Sequence, residues 1–163
     1  MSADCIEKNV VLQASLSRVW KAVADSAEFG KWFGVKFAGP FVAGESLKGT
    51  MIGTTVDPNV AEQQKPYEDT PFDIWVERVE PEQVFAFRWH PYELEEGADA
   101  SQQPTTLVTF TLAEVSDGVS LTITECGFDK VPLEKRAKAF ASNSEGWNIQ
   151  ATMIEKYLAD HAG

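Results

Sequence analysis

The end of the chain limits the fold more than any other segment. From residue 133 the residues Leu133, Ala137, Phe140, Ser144, Trp147, Ala151, Ile154 and Leu158 recur at alternating spacings of four and three, and all but Ser144 are apolar. This spacing lays one stripe along a helix of about 25 residues. Pro132 suits its first position, where no backbone N–H is needed. A helix of that length with a single apolar face has to lie across something large. Gly146, which costs about 1 kcal/mol relative to Ala in a helix interior, is expected to mark a bend or a close approach.

The preceding residues supply that surface. IEKNVVL (6–12) reads as a strand. LSRVWKAVAD follows with Ser15 or Ser17 as its cap, and its residues Leu16, Val19, Trp20 and Val23 share one helical face. A second short helix, AEFGKWF (27–33), is closed by Gly34. From residue 35 the period changes to two, and strands are predicted near 35–42, 46–53, 72–80, 83–90, 105–115 and 119–126. AGE (43–45), EPEQ (80–83) and SDG (116–118) are tight turns. The links 54–71 and 91–104 are long, and in a meander they fall at the same end as the exit at 127–131. Loops of that length in a compact domain are commonly functional. The expected fold class is α+β: a single domain over 1–163, with an antiparallel sheet curved around the final helix and two short helices between strands one and two.

Composition removes several functions. The net charge is −11, and residues 57–103 hold twelve Asp and Glu against Lys65, Arg78 and Arg88. Such a balance opposes nucleic acid and anionic membrane surfaces. No long uncharged apolar run predicts a membrane span. The start, MSADCIEKNV, lacks the basic-then-apolar pattern of a secretory signal, so a cytoplasmic setting is expected.

Four segments carry a resemblance: SLSRVWKAVADSAEFGKWFG (15–34), VERVEPEQVFAFRWH (76–90), TLVTFTLAEVSDGVSLTITECGF (106–128) and EGWNIQATMIEKYL (145–158). In this order they resemble the bacterial proteins related to the activator of heat-shock-protein-90 ATPase, within the START and birch-pollen-allergen-like superfamily. The resemblance implies a helix-grip fold, in which a seven-stranded antiparallel sheet curves around the last helix and leaves a cavity between them. The superfamily includes lipid and sterol carriers, polyketide cyclases, co-chaperones and resistance proteins, with no shared catalytic motif to transfer. In a helix grip the first and last strands pair antiparallel. Cys5 and Cys126 are therefore expected to be near neighbours, and in a cytosolic setting they are expected to be reduced.

The chain offers little conventional chemistry. Two Cys and two His, with no CxxC, HxH or HExxH, predict no metal. GxGxxG and GxSxG are absent, and no cofactor is expected. A Cys126–His90 pair would be separated by an intervening strand, roughly 10 Å, too far for hydrogen-bonded activation. The inward face is more informative. Alternation aims Val119, Leu121, Ile123 and Glu125 at the helix, beside Val108, Phe110, Leu112, then Phe85, Phe87, Trp89, then Phe72, Ile74, Val76. With Phe140, Ser144 and Trp147 from the helix, these describe either a filled core or an apolar, aromatic cavity with Glu125 at its loop-rich mouth. Glu125 either contacts ligand or caps the final helix.

The leading expectation is a small cytosolic protein that binds an apolar or aromatic, lipid- or polyketide-like molecule through Phe72, Ile74, Phe85, Phe87, Trp89, Phe110, Glu125, Phe140, Ser144 and Trp147. One alternative is a cyclase- or hydrolase-like enzyme using Glu125 as acid or base, aided by Tyr67 or Tyr92. Another is a chaperone-partner interaction module steered by the acidic loops.

Overall fold

A computed structural model describes residues 4–160 apart from 93, 95 and 96. Strand β1 (Cys5–Leu12) leads into α1 (Leu16–Ala24) and α2 (Ser26–Phe33). The Ser15 hydroxyl accepts from the Arg18 amide and caps α1, while the Asp25 carboxylate accepts from the Ala27 and Glu28 amides and starts α2. Gly34 ends α2 at φ 99°, a left-handed conformation that glycine adopts without Cβ strain. Next come β2 (Val35–Phe37), β3 (Ser46–Leu47), β4 (Gly49–Met51), α3 (Pro58–Gln64), β5 (Ile74–Glu80), β6 (Val84–Trp89), β7 (Thr106–Val115) and β8 (Gly118–Cys126). The chain then closes with α4 (Leu133–Asp160).

The antiparallel sheet has six strands in the order β1-β8-β7-β6-β5-β3, and β2 pairs with β4 as a separate two-stranded ribbon. The expected seven-strand sheet is thus divided. The run read as one strand at 46–53 breaks at Lys48, where its partner changes from β5 to β2. At Gly49 the backbone passes so close to the Phe72 carbonyl that an added Cβ would lie 2.7 Å from its oxygen, which no longer side chain fits. The link 54–71 also contains α3, read from sequence only as loop. Asp57 caps it, Pro58 occupies its first turn, and Gln64 fastens it to the core by accepting from the Thr54 amide and donating to the Phe33 carbonyl.

Helix α4 lies along the concave face of the sheet, with Trp147, Met153, Ile154, Tyr157 and Leu158 buried. Its phase at the N-terminal end differs from the sequence stripe. Leu133 is 77% exposed and Ala137 is exposed, whereas Ala139 is buried. Gly146 interrupts nothing: the helix runs through it, and an added Cβ would meet no atom within 4 Å. No described helix is long and apolar enough to cross a membrane.

Two clamps fix the termini of the grip. In the β1–β8 register Cys5 stands directly opposite Cys126, with Cα atoms 4.1 Å apart, and the two are joined as a disulfide. This corrects the expectation of reduced thiols. That expectation came from the assumed compartment, whereas the antiparallel register places the two Cβ atoms face to face. Beside the bridge, the Asp4 carboxylate accepts from the Gly127 and Asp129 amides. Gly127, at φ 109°, makes the turn there. The bridge closes a loop between residues 121 apart in sequence. Thiol titration of denatured, unreduced protein is expected to find none free. Reduction should lower stability by up to about 5 kcal/mol, the chain-entropy value for so long a loop.

The second clamp joins the three longer helices. Glu28 on α2 accepts from Arg18 of α1 at 2.8 Å and from the Tyr157 hydroxyl of α4 at 2.9 Å. Burial pushes its carboxyl up, but the Arg18 and Tyr157 hydrogen bonds and the charges of Arg18 and Lys21 hold it below its ordinary value. A depressed carboxyl stabilises the fold above its unfolded pKa, and this contribution is lost as pH falls through the folded one. Acid titration should therefore destabilise the wild type below about pH 4.5, and Glu28→Gln should lessen that dependence while lowering stability at neutral pH.

Candidate functional site

The strand alternation of β8 buries Val119, Leu121, Ile123 and Glu125 in succession. Glu125 is 0% exposed. A carboxylate sealed from water needs donors, because transfer without compensating hydrogen bonds costs several kcal/mol. Two strands and the helix provide them. Trp89, the last residue of β6, gives its indole N–H to Oε2 at 2.8 Å, and Thr106, the first of β7, gives its hydroxyl to the same oxygen at 2.6 Å. From α4, Trp147 donates its indole N–H to Oε1 at 2.8 Å, and the Asn143 amide lies 3.2 and 3.1 Å from the two oxygens. Asn143 and Trp147 are one helical turn apart and so share a face. The same Asn143 nitrogen donates to the Pro91 carbonyl, tying the loop after β6 into the network. The indole N–H is an obligate donor and the carboxylate an acceptor, so this arrangement fixes both tryptophan rings.

Asn143 occupies the place that the sequence stripe gives to Ser144. Ser144 sits half-buried one residue further on, and Asn143 reaches the carboxylate. Sequence reading missed Asn143 and Thr106, although both were signalled: Asn143 stands four residues before Trp147, and Thr106 has the parity of Val108 and Phe110. Glu125→Gln should cost about 1–3 kcal/mol in urea denaturation, because the new amide turns an N–H toward an indole N–H and leaves a buried donor unsatisfied.

Among the described residues, aromatic rings pack the space between sheet and helix. Phe29, Trp32 and Phe33 of α2 project into it, with Phe29 4.7 Å from Trp32, 5.0 Å from Phe33, 5.9 Å from Phe110, 6.3 Å from Phe85 and 6.4 Å from Phe87 between ring centroids. Ile74, Phe85, Phe87, Phe110 and Trp147 are buried in this core. Phe140 packs on Phe128 at 5.1 Å and does not line the rim cavity. Of the residues expected to line a cavity, Phe72 and Trp89 do so.

That cavity lies at the rim, where the two long loops meet. Its volume is about 560 Å³, and its walls are Met51, Tyr67, Thr70, Pro71, Phe72, Asp73, Trp75, Trp89, His90, Tyr92 and Leu94. Phe72 and Trp89 are 5.4 Å apart and rest on Phe33, 5.3 and 6.3 Å away, so the wall of the cavity is the outer surface of the aromatic core. Glu125 lies behind Trp89 and sets its orientation through the indole N–H. Among the described residues no group of three or more His, Cys, Asp or Glu comes together to hold a metal.

A long helix held against a curved antiparallel sheet, with two helices inserted after the first strand, is the helix-grip architecture. Solved structures share it across the whole chain. A Mesorhizobium loti protein aligns with a TM-score of 0.69 at 17% identity, covering 96% of this chain and 97% of its own. The Aha1 dimer from Colwellia psychrerythraea aligns with 0.65 at 15%, covering 98% of each. A protein from the dynemicin biosynthetic locus aligns with 0.69 at 23%, over 99% of this chain and 49% of that one. The chain belongs to the Activator of Hsp90 ATPase homolog 1-like protein family, whose sequence pattern matches residues 13–159. No curated protein matches it in sequence.

Proposed function

We propose that the chain is a small binding protein for an apolar or aromatic molecule, taken into the rim cavity and not between sheet and α4. The observation that carries this reading is the cavity itself. Its volume of about 560 Å³ falls in the range of small-molecule sites, which are mostly apolar with a few placed polar groups. Stacking surfaces come from Phe72, Trp75, Trp89, Tyr67 and Tyr92, and Trp89 is held ready by Glu125 and Thr106. A wall locked before binding saves the ordering cost that a mobile one would incur. The neighbour from a biosynthetic locus is in keeping with work on small molecules.

Glu125 takes a positioning role in this reading. Both its oxygens are engaged by side-chain donors, so a substrate atom reaches it only by displacing a partner. Flavone, a neutral planar aromatic, is a suitable first probe by calorimetry and tryptophan quenching. Phe72→Ala should weaken its binding at least about tenfold, equal to about 1.4 kcal/mol. Phe87→Leu should lower stability and leave the affinity unchanged. The reverse pattern would return the site to the interior of the grip and overturn the rim assignment.

A further inference from the structure

The charges around the rim cavity define its ligand more narrowly, given that the cavity is the binding site. Phe72 and Trp89 are half-buried on its wall, and Tyr67, 54% exposed, adds a third ring. Trp89 differs from the other two in what stands behind it. Its indole N–H donates at 2.8 Å to the carboxylate of Glu125, which is wholly buried and accepts also from Thr106, Asn143 and Trp147. None of these partners is cationic, so the hydrogen bonds hold the carboxylate without cancelling its charge. A charge acts more strongly across a low-dielectric interior than across water. An anion bonded to the edge of an indole also polarises the ring, and the π face of Trp attracts cations best of the aromatic side chains.

The open side of the cavity has the same sign. Asp73 lines it and is exposed, and Glu68 and Asp69 stand exposed between the wall residues Tyr67 and Thr70. Among the described residues no Lys or Arg lines the cavity. A cleft edged by one sign of charge focuses its field and concentrates ions of the other. Lys135 of α4, outside the wall, holds its Nζ 4.8 Å from the centre of the Tyr92 ring. That contact takes up one face of Tyr92 and leaves Tyr67, Phe72 and Trp89 for a cation in the cavity.

We propose that the rim cavity takes an aromatic organic cation, its ammonium group against the face of Trp89 and its apolar body along Phe72. Binding is noncovalent, a cation–π contact reinforced by two carboxylates, Glu125 behind the ring and Asp73 on the wall. Such contacts strengthen when desolvated, and a neutral molecule of the same shape gains nothing from them. Glu125 is then a specificity-determining residue that acts through the ring of Trp89. The same charges disfavour an anionic ligand.

Four probes test this by calorimetry and tryptophan quenching on the intact protein: flavone, 4′-trimethylammonioflavone, 4′-tert-butylflavone and flavone-4′-carboxylate. The second and third share a shape and differ in charge. In the wild type the cation should bind about tenfold tighter than its tert-butyl isostere, and the carboxylate should bind most weakly. Asp73→Asn, at an exposed position, should fold normally and reduce that preference about twofold, an effect that fades at high salt. Glu125→Gln keeps the side-chain shape, removes the buried charge and should bring the preference below about threefold. Because that variant is also less stable, the tert-butyl isostere is the control, and its affinity should stay within about twofold of wild type. Binding of the cation no tighter than its isostere by the wild type would overturn the cation assignment and leave the cavity standing as an apolar site. A preference unchanged in both variants would overturn the role of the two carboxylates. Failure of all four to bind up to their solubility limits would overturn both the cavity reading and this one.

Discussion

The buried carboxylate of Glu125 is the interaction on which the rest of the arrangement depends. Among the described residues it is the one fully buried acidic group, and its donors come from β6, β7 and α4. Apolar packing alone leaves a helix some freedom to slide or rotate on a sheet, because dispersion is weak per contact and non-directional. Directional hydrogen bonds to one carboxylate remove that freedom. The helix is set in phase by Asn143 and Trp147, and the sheet answers with Trp89 and Thr106. Asn143 also donates to the Pro91 carbonyl, so the residue that leads into Tyr92 of the cavity wall is held by the same centre.

The separation of core and cavity follows from the aromatic residues of α2. Phe29, Trp32 and Phe33 take up the volume that the curvature of the sheet opens beneath the helix, and they make the interior a packed ring cluster. The rim cavity lies where the strands end and long links cross. There Phe72 and Trp89 show one face to the core and the other to the cavity. The disulfide at Cys5–Cys126 and the Asp4 contacts with Gly127 and Asp129 hold the exit toward α4 at this same end of the sheet. One end of the sheet is thus closed by tight turns, and the other is held by a bridge, a capped turn and a buried carboxylate.

Much of this was legible in the residues. The two-residue alternation of 119–126 is independent of neighbours, so it placed Glu125 inward. The alternation of 83–90 likewise placed Phe85, Phe87 and Trp89 on one face. The two helices after the first strand, with Gly34 as a stop, were also plain. Helix α3 was not, because its seven residues bury no side chain and hence show no apolar periodicity; Asp57 and Pro58 were its only signals.

The sequence by itself determined the antiparallel order, the long final helix and the facing of Glu125, because each rests on local periodicity or on chain connectivity. Only the tertiary structure decided that Asn143 and not Ser144 meets the carboxylate, since neighbouring residues on a helix differ by about 100° and packing alone selects the phase. It also decided that Cys5 and Cys126 are joined, a matter of strand register, and that aromatic rings from α2 pack the space under the helix. Volume depends on how side chains from separate elements interpenetrate, and no single stretch of sequence carries that information.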